Sequence, residues 1–145
     1  MKKPSVMTLK RKLDRLMSEM VRRRDAGKPC ISCGKRTLLQ AGHFVKRKPL
    51  PTRWHPFNVN GECSGCNGFD SGHLLGYLDG LNERYGHGVA RKLIDLSRVR
   101  WKVLPDQLVR LIDATDNPEE YARIWFDIQN EFAPGFELAK QAEAR

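Results

Sequence analysis

Nothing in this sequence approaches the ~18 consecutive apolar residues of a membrane span. Met1-Lys2-Lys3 leads into no signal-peptide core either. These absences exclude integral-membrane and exported classes, and the expectation is a soluble intracellular protein with no membrane partner. Cysteine is scarce, with four in 145 residues. In a reducing compartment that number serves a metal site better than two disulfides. Acid is nearly missing from residues 1–53, where sixteen Lys or Arg face only Asp14, Glu19 and Asp25. The remaining residues hold more acids than bases, so the formal net charge of +9 is concentrated in the first third of the chain. A block this basic points to phosphate backbones or anionic lipid.

The chain is long enough for one domain with an appended helical lobe, and it contains no internal repeat. Leu9, Leu13, Leu16, Met17, Met20 and Val21 recur at helical spacing, so residues 1–28 are read as a basic amphipathic N-terminal helix ended by Gly27 and Pro29. Residues 28–62 carry Gly, Pro and charge without that period, and short strands and loops are expected there. The chain turns helical around Cys66 and continues through Leu74, Leu75, Tyr77, Leu78 and Leu81 until Gly86 and Gly88. Beyond it a helix carries Val89, Leu93, Ile94 and Leu96. Pro105 opens another through Leu108, Leu111 and Ile112. Asn117-Pro118-Glu119-Glu120 reads as a cap, a first-turn proline and two acids at the positive end of a last helix with Tyr121, Ile124, Trp125 and Ile128. Residues 83–135 thus form a C-terminal helical region, and 136–145 a mobile tail.

Cys30 and Cys33, with Cys63 and Cys66, make two Cys-x-x-Cys units. Each suits a tight turn presenting two thiolates to one ion, and together they favour a closed, tetrahedral, structural zinc with no open position for water. Such a clamp would hold the segment between Cys33 and Cys63 against the helix beginning near Cys66. Inside the clamp lie His43, His55, Asn58 and Asn60, and just beyond it Asn67, Asp70 and His73.

The order of these residues resembles the HNH, or ββα-metal (His-Me finger), nucleases. Pro29-Cys-Ile-Ser-Cys-Gly34, Ala41-Gly-His-Phe44, Cys63-x-x-Cys66-Asn67 and Ser71-Gly72 look like the phage NinG/Rap recombination proteins, and the layout is also similar to the endonuclease VII family of Holliday-junction resolvases. The resemblance implies an α+β fold, mostly helical overall, with a small zinc-clamped ββα-metal core at 29–82 and flanking helices. It implies that His43 is the general base, that Asn58, five residues before Cys63, orients it, and that Asn67 and Asp70 bind a catalytic Mg²⁺ or Mn²⁺. Many relatives carry an Asp or His where this chain has Gly42. Gln40, a backbone carbonyl or His73 are candidate substitutes, and His43 itself is an alternative metal ligand. Asn60 is an alternative to Asn58.

The implied activity is metal-dependent hydrolysis of branched DNA, such as Holliday junctions and D-loops, by an endonuclease in the cytoplasm of a bacterial host. A homodimer would match the two scissile strands of a four-way junction. The rival expectations are an HNH nuclease on linear duplex DNA and a non-catalytic zinc module that binds nucleic acid. Lys46, Arg47, Lys48 and Arg53 form a basic loop after His43, and Arg22, Arg23 and Arg24 a second strip; both are expected to touch phosphates. His55 is read as structural and His87 as exposed. Trp54 and Trp101 are read as core or as base-stacking residues.

Overall fold

The protein, described here from a computed structural model over residues 2–68 and 73–138, is a mostly helical α+β assembly. Helix α1 (Val6–Arg24) begins where Ser5 Oγ accepts the Thr8 amide at 3.1 Å. Its apolar stripe is buried as the spacing requires, through Leu9, Leu13, Met17, Met20 and Val21. Strands β1 (Gln40–His43) and β2 (Val59–Glu62) pair antiparallel, with Gln40 opposite Glu62 and His43 opposite Val59. A single turn, α2 (Leu50–Arg53), interrupts the connection between them, and α3 (Ser64–Gly68) carries the second cysteine pair. The chain continues through α4 (Leu74–Tyr85), α5 (Val89–Ser97), α6 (Pro105–Ala114) and α7 (Pro118–Phe132). In α7, Asn117 Oδ1 accepts from the amides of Glu119 and Glu120, as the cap-proline-acid-acid pattern implies.

Two large apolar clusters hold the helices, and a small third one surrounds the cysteines. In the first, α1 packs on α6 and α7 around Trp54, Trp101, Tyr121 and Trp125. Trp54 and Trp101 meet edge to face at 6.0 Å, and both are buried, so the base-stacking alternative for them does not hold. His55 is also core: its ring bonds Gln129 Oε1 at 3.1 Å, and burial pushes its pKa down to about 3. The second cluster joins α4 and α5 to Ile31, Phe44 and Leu138. Leu138 is fully buried and Phe136 packs on the same cluster, so the expected mobile tail does not begin at 136; its remainder, 139–145, lies outside the described residues.

The end of α1 is latched to the sheet by charge. Arg24 was expected at a phosphate, but it continues the buried 17–20–21 stripe by helical spacing and points inward. Its guanidinium donates to both Asp25 carboxylate oxygens, to the carbonyls of Pro56 and Val59, and to Asn60 Oδ1. Asp25 in turn accepts the Gly61 amide at 2.8 Å and faces Arg84. Burial opposes ionisation of Asp25, but the Arg24 hydrogen bonds and charge outweigh it and bring its pKa down to about 2. The carboxylate therefore stabilises the fold at every pH above ~4, and that contribution fades as pH falls through the folded value. Asp25→Ala strands a buried guanidinium, and a loss of about 3 kcal/mol in denaturant unfolding is expected. A change under 1 kcal/mol would show the latch to be idle.

Candidate metal centre and the adjoining hairpin

The four cysteines are brought together. Their Sγ atoms all lie within 4.8 Å of one another, with Cys30, Cys63 and Cys66 buried and Cys33 exposed. Cys33 and Cys63 sulfurs are 3.8 Å apart, too far for a disulfide and suited to two corners of one coordination shell. This set could hold one structural zinc. The first knuckle is a turn closed by Gly34 N–H to the Cys30 carbonyl at 2.9 Å, and Ile31 N–H reaches the Gly61 carbonyl of β2 at 3.0 Å. Its outer side rests on the backbone of α4. A Cβ at Gly76 would sit 2.1 Å from the Ser32 carbonyl oxygen, and one at Gly80 the same distance from that of Ile31. Glycines one turn apart thus let helix and knuckle touch main chain to main chain.

Strand alternation divides the hairpin into two faces. Ala41, His43 and Val59 face α1 and, with Asp14, Ser18, Arg47 and Arg53, line a crevice of about 10 Å³, room for roughly one water. His43 Nε2 lies 2.9 Å from the Arg53 carbonyl oxygen. A carbonyl only accepts, so this nitrogen carries the proton and Nδ1 keeps the lone pair. Burial draws the His43 pKa down to about 4, against the Arg53 hydrogen bond, so the ring is neutral at neutral pH.

Gln40, Gly42 and Glu62 occupy the other face, beneath α3. Asn67 Nδ2 donates to Gln40 Oε1 at 2.9 Å, which turns Asn67 Oδ1 toward the strand. Glu62 Oε2 accepts from Ser32 Oγ at 2.6 Å. Burial raises the Glu62 pKa, opposed by that bond and by nearby Lys46 and His73. A second cavity, of about 80 Å³, is lined by His43, Lys46, Glu62, Cys66, His73, Leu74 and Tyr77. His73 therefore shares a cavity wall with His43 and Glu62. Tyr77 Oη pins β1 from below by donating to the Gly42 carbonyl at 2.6 Å.

Several expectations need correction. Asn58 does not touch the imidazole: its amide accepts from Val45 N–H and donates to the carbonyls of Val45 and Thr52, stapling the loop that leads to α2. A backbone oxygen, that of Arg53, holds the His43 ring instead. Asn60 does not replace Asn58, because its side chain is fully buried among Arg24, Tyr77 and Tyr85. The Arg53 side chain, expected on phosphate, forms a two-pronged pair with Asp14 at 2.6 and 3.0 Å and lies over the Trp54 ring. Burial raises the Asp14 pKa, but hydrogen bonds from Arg53 and Trp54 more than offset this and leave it lowered. Lys46, Arg47 and Lys48 are exposed beside His43, and Arg22 and Arg23 are exposed on α1, with Arg23 also donating to the Thr115 carbonyl. His87 is exposed. Asp70, expected to bind metal, lies outside the described residues. Sequence reasoning missed Glu62 and the Arg53 carbonyl; Glu62 stands next to a cysteine, opposite Gln40 and diagonal to Gly42 on the paired strand.

No described helix is long and apolar enough to cross a membrane. A family model described as bacteriophage Lambda NinG protein matches residues 2–117. The chain is 36% identical over 89 residues to Protein ninG of Salmonella phage P22, which covers 59% of this chain and 44% of that protein. It is 33% identical over 91 residues to Protein ninG of Escherichia phage lambda, covering 60% and 45%. Protein ninG of Escherichia phage 933W is 34% identical over 91 residues, with the same coverage. The match spans less than half the length of these curated relatives. No solved structure matches.

Proposed function

This chain belongs to the bacteriophage NinG family, and on that footing we propose that it is a metal-dependent, structure-specific DNA endonuclease of the HNH type. Its substrates are branched recombination intermediates, such as Holliday junctions and D-loops. The observation that carries this reading is a neutral imidazole with a fixed proton that lines, together with Glu62 and His73, one cavity of about 80 Å³. His43 Nε2 is tied to the Arg53 carbonyl, while Glu62 and Asn67 Oδ1 converge one residue away over Gly42.

The residues suit phosphodiester hydrolysis in this way. His43 Nδ1 takes the proton of a water, whose oxygen then attacks phosphorus as the bond to the leaving 3′-oxygen breaks. Carboxylate and amide oxygens are the hard donors that Mg²⁺ or Mn²⁺ prefer. Bound there, such a cation would supply charge relief to the phosphate and the leaving oxygen. Zinc on the four cysteines has a structural role, fixing α3 against the hairpin. Lys46, Arg47 and Lys48 flank the base where phosphates would pass. Two copies acting together would cut the two symmetric strands of a four-way junction.

The test compares cleavage of a four-way junction with that of its matched linear duplex, in Mg²⁺ and in Mn²⁺. Junction cleavage at least about tenfold faster is expected. Equal rates would replace the branched substrate by linear duplex, and no cation-dependent cleavage of either would leave a zinc module that only binds nucleic acid.

A further inference from the structure

Glu62 and Asn67 reach one point in space from different elements. A Cβ built on Gly42 would sit 2.0 Å from Glu62 Oε1 and 2.8 Å from Asn67 Oδ1. The side-chain volume that Gly42 leaves open on β1 is thus filled by a carboxylate from β2 and an amide oxygen from α3. Both groups are aimed by a second contact: Ser32 Oγ holds the other Glu62 oxygen at 2.6 Å, and Gln40 holds the Asn67 amide nitrogen at 2.9 Å. Glu62 is buried, with 5% of its surface exposed, yet it forms no ion pair among the described residues. Lys46 and His73 lie nearby, and a cation bound directly to its oxygens would complete the compensation that a buried carboxylate needs.

We propose that Glu62 is the carboxylate ligand, and Asn67 Oδ1 the neutral ligand, of a divalent-cation site of this protein, with Glu62 supplying from β2 what β1 cannot supply at Gly42. The proposal deepens the nuclease reading and rests on it for the identity of the cation. One carboxylate, one amide oxygen and several retained waters form a set that Mg²⁺ and Mn²⁺ accept. The site is separate from the four-sulfur cluster, whose soft donors select a different metal.

The test is direct binding of Mn²⁺ to the zinc-loaded full chain without DNA, read from the loss of the free-Mn²⁺ electron paramagnetic resonance signal. One Mn²⁺ per chain is expected beyond zinc. Glu62→Gln keeps the shape and an oxygen to accept from Ser32 but removes the charge, so Mn²⁺ affinity falls at least about tenfold while zinc content and circular dichroism stay as in wild type. Asn67→Asp adds a charge at the second ligand and tightens Mn²⁺ binding several-fold, which no folding defect can imitate. Wild-type affinity in both variants overturns the assignment, as does a wild-type chain that takes up no Mn²⁺. DNA cleavage with Mn²⁺ affinity indifferent to both substitutions would sink the ligands and spare the nuclease reading. Glu62-dependent Mn²⁺ binding with no cleavage of any DNA would do the reverse.

Discussion

Stripping the cysteine cluster of metal is expected to melt the hairpin and its knuckles while leaving much of the helical signal in place. The region around the cluster is tied to its neighbours by the Asp25 latch and the Tyr77 hydrogen bond, but it has little apolar core of its own. Its apolar cluster is Leu39 with Cys30, Cys63 and Cys66, and the two strands are four residues each. A hairpin of that size is marginal in water without support. A structural zinc contributes ~10–16 kcal/mol in small domains of this kind, which exceeds the whole stability of most domains. By contrast α1, α6 and α7 share a large core around Trp101, Tyr121 and Trp125, which Trp54 and Val59 enter from the hairpin segment. One zinc per chain is expected by metal analysis. Excess chelator, or Cys30→Ser, should erase amide dispersion for residues in β1, β2 and α3 and preserve most of the far-ultraviolet helical signal. A chain that carries no zinc as purified and keeps its hairpin in chelator would refute the clamp.

His43→Ala is expected to slow DNA cleavage by ~10²–10⁴-fold, the range lost when a general base is removed. Affinity for DNA should change little, because the charged residues around His43 remain. The pH profile carries a sharper signature. Burial holds the His43 pKa at about 4, so the ring stays neutral and able to accept a proton well below the ordinary 6.5. The acid limb of kcat/KM should therefore fall below pH 6, leaving a plateau through neutrality, where an exposed histidine would already be losing activity. The same shift has a stability cost of definite sign. The unfolded chain takes up a proton at His43 below 6.5, so stability declines as pH drops from there toward the folded value. An alanine variant that cleaves within threefold of wild type would remove His43 from the chemistry.

Much of this architecture could be read before any coordinates. The stripes of α1, α6 and α7 and the Asn117 cap are local signals, and the cysteine spacing announces its cluster without help from the fold. What escaped was decided by tertiary direction. Arg22, Arg23 and Arg24 look alike in a row, yet only Arg24 falls on the buried stripe, where Asp25 and three backbone or amide oxygens receive it. Helix α2 is a single turn, too short for periodicity to register. Asn58 sits at the expected spacing, but its amide can satisfy three backbone groups at once in a buried place, and those outcompete an imidazole. Glu62 beside a cysteine carries no motif; its meaning comes from Gly42 on the neighbouring strand.

The partner that decides which nitrogen of His43 is protonated is a main-chain oxygen, encoded by no particular side chain. Alanine scanning passes over it, since every residue at position 53 brings the same carbonyl. The polarity of the imidazole is therefore inherited through the path of the chain across α2, a turn that the pair between Arg53 and Asp14 helps to seat. Whatever displaces α2 from its place beside β1 would turn the imidazole out of alignment without altering one of its atoms.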